Sequence, residues 1–312
     1  MNTPLHINTP VFESRPLSEK AGKKILLKME CFQPTGSFKI RGIGALCQEL
    51  VAEGHDRLVC SSGGNAGYAV AYAARKLGVH ATVIVPKTTH PVYLNRLKLE
   101  GAEVRVQGTV WDEANEAAMA LVAQTQSGFI HPFDHPTIWA GHATMVDEII
   151  EQCEKPDAII TAMGGGGLLC GVLEGLARHG WNDMRIFSVE TTGAASFAQS
   201  VAQGSRVVLD KIDTIATSLG TKQVAEKIFD WSKKRPITPL VVSDHAAALA
   251  CRYFADDHLV LVEPACGTAL SVIYDQAFHP VFADLNSILI IVCGGVGISI
   301  DLLSQYLAKS NS

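Results

Sequence analysis

None of the eight cysteines forms a CxxC pair; they lie scattered at 31, 47, 60, 153, 170, 251, 266 and 293. In a chain with a large core this reads as reduced, mostly buried thiols in the cytoplasm, with a disulfide set as the lesser alternative. No apolar run approaches the roughly 18 residues of a membrane span, so no membrane partner is expected. Met1 to Lys20 is mixed and polar and carries no apolar signal segment. Basic excess is also missing: the net charge is −5, and without a Lys/Arg stripe no nucleic-acid partner is expected. There is no repeat with a period of about 20 to 50 residues. With so short a stretch after the last strand and helix, no appended regulatory domain of ordinary size is expected.

What is present is a 312-residue chain that is 47% hydrophobic and 18% charged. A chain of this size buries roughly 75% of its unfolded surface and needs no staples. Short apolar runs alternate with helix-like segments throughout. Residues 25–30, 58–60, 81–85, 103–106, 157–162, 185–189 and 287–292 read as strands, and 67–77, 91–100, 111–126 and 168–178 as helices. This predicts an α/β fold with two open parallel-sheet domains. The turn-rich stretch His131-Pro-Phe-Asp-His-Pro136 marks the divide. Residues 1–36 and 136–312 are expected to form the large domain and 37–135 the small one.

Three segments bear chemistry. Gly164 to Gly167 join a strand to a helix starting near Leu168. Glycines allow close backbone approach, and a helix N-terminus offers free N–H groups, which suits a phosphate. A tight strand-to-helix turn would use the same glycines. The run has neither the G-x-G-x-x-G spacing nor the Gly-Lys-Ser/Thr ending of a nucleotide loop. Ser61-Ser62-Gly63-Gly64-Asn65-Ala66-Gly67 also opens a helix, and its donors suit a substrate carboxylate. A Ser/Asn cap on an alanine-rich helix is the plainer explanation. Lys39 follows a turn and sits among Phe38, Ile40 and Ile43, which points to partial burial, although Arg41 fits a solvated face. Burial favours the neutral amine that forms an imine. An amine, small polar groups and a phosphate cradle are the parts that hold pyridoxal phosphate as a Schiff base. Cys293 ends a buried strand, either as an inert core thiol or facing a ligand at the sheet edge. His131, His135 and His142 lack zinc spacing and read as loop or helix-start residues.

Ser37-Phe-Lys-Ile-Arg-Gly42, Ser61 to Gly67, Gly164 to Gly171, Val262-Glu-Pro-Ala-Cys-Gly267 and Val292-Cys-Gly-Gly295 occur in that order. Together they resemble the fold-type II pyridoxal-phosphate enzymes, which are tryptophan synthase β-like. Within them the chain is most similar to the L-serine dehydratase/L-threonine deaminase group, especially its short liver-type members. The resemblance runs from about Leu5 to the last helix. It implies pyridoxal 5′-phosphate, with Lys39 as its covalent anchor and Phe38 stacked on its ring. It places Asn65 on the ring oxygen, Gly164 to Leu168 on the phosphate and Cys293 at the ring nitrogen. Ser62, Gly63 and Asn65 would surround the substrate carboxylate, with Phe133 near the cleft. It also implies a monovalent cation such as K⁺, held by Glu190 and backbone oxygens of Gly164, Ala194, Leu219 and Thr221. An all-oxygen set with one carboxylate suits a hard cation. Two positions depart from or vary within the group. Ser218 stands where the liver form has alanine, and Gly63 is alanine or glycine.

The activity so implied is α,β-elimination from L-serine to pyruvate and ammonia, and from L-threonine to 2-oxobutyrate, by a homodimer. Racemases of this fold carry a serine directly before the Gly-Asn pair. Here that position is Gly63, which has no side chain to act as an acid or base. A β-replacement enzyme and a nucleotide-binding oxidoreductase stand as competing readings.

Overall fold

The computed structural model describes residues 3–309. In chain order the strands are β1 (Val11–Glu13), β2 (Lys24–Lys28), β3 (Arg57–Cys60), β4 (His80–Val85), β5 (Glu103–Val106), β6 (Gly128–Ile130), β7 (Ala158–Ala162), β8 (Arg185–Thr191), β9 (Ile237–Val242) and β10 (Ser287–Ile291). The helices are α1 (Arg15–Ala21), α2 (Lys39–Ala52), α3 (Asn65–Leu77), α4 (Pro91–Leu99), α5 (Trp111–Thr125), α6 (Pro136–Gln152), α7 (Gly167–Arg178), α8 (Ser196–Gln203), α9 (Glu226–Lys234), α10 (Asp244–His258), α11 (Pro264–Tyr274) and α12 (Ile300–Lys309).

A six-stranded sheet has the order β1-β2-β10-β7-β8-β9, and a four-stranded sheet the order β5-β4-β3-β6. Every pairing between these strands is parallel except β1 with β2. Strands such as Ala158-Ile-Ile-Thr-Ala162 are apolar almost throughout because helices cover both faces of a parallel sheet. Their side chains join one large core around the six-stranded sheet, and separate clusters pack against the four-stranded sheet.

This topology brings the sequence motifs together. The two glycine loops and the Cys293 segment each begin where a parallel strand ends, at the sheet edge where open α/β folds bind ligands. Register does the rest. Cys60 pairs with Ile130, so the Ser61 loop lies beside the His131 loop. Ile291 pairs with Lys28, so the segment entering Lys39 lies beside Cys293. That second alignment is reinforced by Phe38 N–H donating to the Cys293 carbonyl at 3.2 Å, and Gly295 N–H to the Gly36 carbonyl at 2.8 Å.

Arg41 does not lie on a solvated face: it is completely buried. Its guanidinium grips Glu30 through Nε and Nη2 and Glu148 through Nη1 and Nη2, each at 2.7 Å. Lys28 Nζ reaches Glu148 and the Thr9 carbonyl, both at 2.6 Å. The network ties β2, α2 and α6 together two residues from Lys39. Two buried cations and two buried carboxylates balance, as burial of charge requires.

Candidate active site

Lys39 is the first residue of α2. The residue is partly exposed, but its amine is turned inward, where Nζ donates to the Pro132 carbonyl at 2.7 Å. Burial pushes its pKa down to about 8, against the weaker upward pull of Cys60, Cys293 and Glu263. At pH 7 about a tenth of this amine is therefore neutral and nucleophilic, against well under a hundredth for a surface lysine near ~10.4. Nζ lies 5.2 Å from the centroid of the Phe38 ring. The Phe38 ring is backed edge-on by His142, at a centroid distance of 4.8 Å. His142 itself corrects an expectation. It sits in the middle of α6, fully buried, and is no loop or helix-start residue. His135 does cap α6, accepting from Thr137 N–H, and His131 Nδ1 accepts from Phe133 and Asp134 N–H within the turn.

The glycine run does two jobs. A Cβ on Gly165 would collide with the Phe133 ring, one on Gly167 would lie 2.5 Å from the Phe133 carbonyl, and one on Gly166 2.5 Å from Ile228. Gly166 also has φ 96°, in the left-handed region that favours glycine. Packing thus demands these glycines, as a tight turn would. At the same time no side chain among the described residues caps α7, whose N-cap is Gly166. Its first N–H groups remain available to an anion. Phe133, half-buried, touches this loop while its neighbour Pro132 holds Lys39. The divide between the sheets therefore joins amine and cradle.

Asn65 is the first residue of α3 but does not cap it; the N-cap is Gly64, and no side chain caps the helix. Instead the buried Asn65 amide reaches across to the other sheet unit. Nδ2 donates to Glu263 Oε1 at 2.7 Å and to Ser218 Oγ at 3.2 Å, and Oδ1 accepts from Val296 N–H at 2.9 Å. Cys293 is buried at the end of the β10 run. A hydrogen bond with Cys266, then burial, raises its pKa, so it is a neutral thiol. Ser62 is partly exposed, and Ser61 is tied to Asn115 at 2.8 Å.

Gly63 faces a crowded wall. A Cβ there would lie 2.8 Å from both Thr89 Cγ2 and Val85 Cγ1. Gly63→Ala must therefore shift Thr89 or the Ser61 loop. We expect a fall of roughly tenfold in kcat/KM with a changed serine-to-threonine ratio, the usual scale of a misplaced positioning loop. Thr89→Ser, which removes the obstructing methyl, should restore part of the loss in the double variant. Identical steady-state kinetics for Gly63→Ala and the parent would end the argument.

The five cation positions are only partly gathered. Gly164 abuts Leu219, whose carbonyl oxygen would lie 3.5 Å from a Cβ at Gly164. That same carbonyl accepts from Thr221 N–H at 2.8 Å. Ala194 is buried beside the β8 end. Glu190 is fully buried too, not a solvated acid at a strand end. It accepts from Phe197 and Ala198 N–H at 2.8 and 2.7 Å, and burial raises its pKa to about 7. A buried carboxylate whose hydrogen-bond donors among the described residues are neutral has room in its electrostatics for a cation.

Sequence reasoning gives no role to Glu263 or Tyr93. Glu263 is 3% exposed, and its Oε2 accepts from Gly297 N–H at 3.1 Å and from the Tyr93 hydroxyl at 3.4 Å. The available signal is an acid set between the apolar Leu259 to Val262 and Pro264. Beside a proline at the first helical position, it reads as an ordinary helix-start acid.

The chain matches the pyridoxal-phosphate dependent enzyme family over residues 3–294. It is 47% identical to the L-serine dehydratase/L-threonine deaminase of Homo sapiens, across 99% of this chain and 97% of that protein. Among solved structures it superposes on a fungal L-serine ammonia-lyase from Rhizomucor miehei with a TM-score of 0.94 and 39% identity, covering 98% of this chain and 99% of that one. Maize serine racemase has a TM-score of 0.89 and 28% identity, covering 99% of this chain and 94% of that one.

Proposed function

The chain belongs to the pyridoxal-phosphate dependent enzymes, and from that premise we propose that it deaminates L-serine to pyruvate and ammonia, and L-threonine to 2-oxobutyrate, by α,β-elimination. The observation that carries this reading is the Lys39 amine, inward-facing and held near pKa 8 beside a glycine loop that opens an uncapped helix. The residues fit the cofactor: nucleophilic amine, bare anion cradle, aromatic face, amide donor and neutral thiol are all present.

Pyridoxal 5′-phosphate, when bound, supplies an aldehyde for the anchoring amine and an electron-withdrawing ring that accepts charge from the substrate α-carbon. The chain does the rest. Gly164 to Leu168 would hold the phosphate, Phe38 would offer an aromatic face to the ring, and Asn65 would donate to the ring oxygen. Ser62, Gly63 and the backbone N–H of Asn65 would face the substrate carboxylate, with Phe133 near the cleft. Neutral Lys39 Nζ takes the α-proton, a general-base role worth roughly 10² to 10⁴ in rate. Cys293, a protonated thiol, would be a weak partner for a ring nitrogen and would not hold a proton there as a carboxylate does.

Gly63 also argues against racemisation, which needs a second acid/base on the opposite face. Keto-acid release measured across L-serine, L-threonine and their D forms tests the reading. Release from the L forms is expected; interconversion of L- and D-serine without release would make it a racemase.

The same proposal takes residues 1–36 and 136–312 as the large cofactor-binding domain and 37–135 as the small substrate-binding domain. It includes a cytoplasmic homodimer, supported for compartment by the eight free thiols. Light scattering checks the dimer. It further includes K⁺ at Glu190, Gly164, Ala194, Leu219 and Thr221. Exchanging choline for K⁺ should raise both activity and melting temperature in the parent protein. Glu190→Gln should lose that response, and a response equal to the parent's would remove Glu190 from the site.

A further inference from the structure

We propose that Glu263 is a positioning residue, whose carboxylate clasps the two sheet units together through Asn65 and Tyr93 and thereby fixes which way the Asn65 amide faces. The inference rests on the cofactor site proposed for this chain.

The clasp spans the molecule's divide. Asn65 and Tyr93 belong to α3 and α4 beside the four-stranded sheet, whereas Glu263 precedes α11 and Gly297 follows β10 of the six-stranded sheet. The hydrogen-bond partners of Glu263 among the described residues are all uncharged: the Asn65 amide, the Tyr93 hydroxyl, the Gly297 N–H and, across the same pocket, Ser218. Burial raises the Glu263 pKa while these hydrogen bonds oppose the rise; in its ionised form the carboxylate offers two acceptor oxygens and no donor, which matches this ring of donors. Glutamine has the same shape but sets its NH₂ against one of those donors.

The loop after β10 is shaped around the clasp. A Cβ on Gly295 would overlap the Glu263 carboxyl carbon, and one on Gly297 the Tyr93 hydroxyl. The two groups meet only because both positions are bare.

The consequence for Asn65 is directional. Glu263 needs a donor from the amide and Val296 N–H needs an acceptor, so both anchors select one orientation. A flipped amide would place oxygen against the carboxylate and NH₂ against N–H. Of the two N–H bonds of Nδ2, one is committed to Glu263. The other, aimed at Ser218 Oγ at 3.2 Å, is the one free to move to a ring oxygen. Ser218 is thus a stand-in acceptor.

A double-mutant cycle on the full-length protein tests the proposal. Cofactor affinity and the circular dichroism of the cofactor band are measured for the parent, Glu263→Gln, Asn65→Ala and the double variant. Each single change is expected to weaken cofactor binding about tenfold, the scale of a lost charge-assisted hydrogen bond, and Glu263→Gln to shift the band. Because Glu263 acts through Asn65, the double variant should bind about as weakly as Asn65→Ala alone. Parent-like affinity and band for Glu263→Gln, or losses that multiply in the double variant, would overturn the role. Tyr93→Phe removes one clasp bond with little change in volume and serves if Glu263→Gln does not fold. Its loss should be about threefold in the same direction, a fraction of the carboxylate's effect, and no change would overturn the proposal. Amide hydrogen exchange without cofactor provides a readout independent of the catalytic reading. Faster exchange in residues 61–68 and 294–298 of the variant supports the clasp even if the parent captures no pyridoxal phosphate, and unchanged exchange refutes it.

Discussion

Lys39→Ala is expected to lower keto-acid release from L-serine by about 10⁴-fold or more, since it removes the covalent anchor and the α-proton base together. The same change loses the amine's hydrogen bond to the Pro132 carbonyl but also removes an amine whose charged form burial disfavours, so its effects on folding oppose each other. Stability should therefore hold while activity disappears, and a thermal melt beside the assay separates the two. Lys39→Arg should be equally inactive, because guanidinium is never neutral at working pH. The depressed pKa gives a second handle. With its pKa near 8, the neutral fraction of Lys39 rises steeply between about pH 7 and 9. Amine modification of Lys39 in cofactor-free protein should follow that rise. A midpoint near ~10.4, the value of a solvated lysine, would show that the site does not tune the amine.

Arg41→Met is the change expected to cost most in stability, about 3–5 kcal/mol, because it strands buried Glu30 without its counter-charge and leaves Glu148 with Lys28 alone. Arg252→Ala provides the contrast. Its pair with Asp256 is 59% exposed on both sides and should be worth under about 0.5 kcal/mol. Urea melts of the two variants read the difference directly. The pH dependence has a definite sign. Burial alone would raise the Glu148 pKa, but hydrogen bonds and charge from Arg41 and Lys28 outweigh it and leave it below its ordinary value. A depressed carboxylate contributes stability above its unfolded pKa of ~4.3 and loses it as pH falls through the folded value. The parent should therefore lose this contribution on acidification below about pH 4.3, and Arg41→Met should lose less over the same interval. Since the network holds the start of α2, activity should fall with it.

Much of this is legible in the sequence, for physical reasons that differ by element. Parallel strands buried on both faces must be apolar throughout, so runs such as Ser287-Ile-Leu-Ile-Ile291 declare themselves. Glycine-rich strand-to-helix turns do the same, and Lys39 stands out through its apolar neighbours. Long-range pairing is a different matter. β1 is three residues long and antiparallel, defined by its register with β2 and by no pattern of its own. Arg41 looks solvated in sequence because its partners lie 11 and 107 residues away. Glu263 and Asn65 are 198 residues apart. Local spacing carries no trace of such contacts, and an acid before a proline has a commoner explanation. Glu190 shows the same limit: its burial follows from α8 folding back over β8, which the strand alone does not announce.

The most direct measurement is to load the protein with pyridoxal 5′-phosphate, reduce it with borohydride, digest it and locate the adduct by mass spectrometry. The expected result is one stable phosphopyridoxyl group on the peptide that contains Lys39, with loss of the cofactor's visible absorbance on reduction. An unmodified Lys39, or a label confined to other lysines, would contradict the assignment of the site.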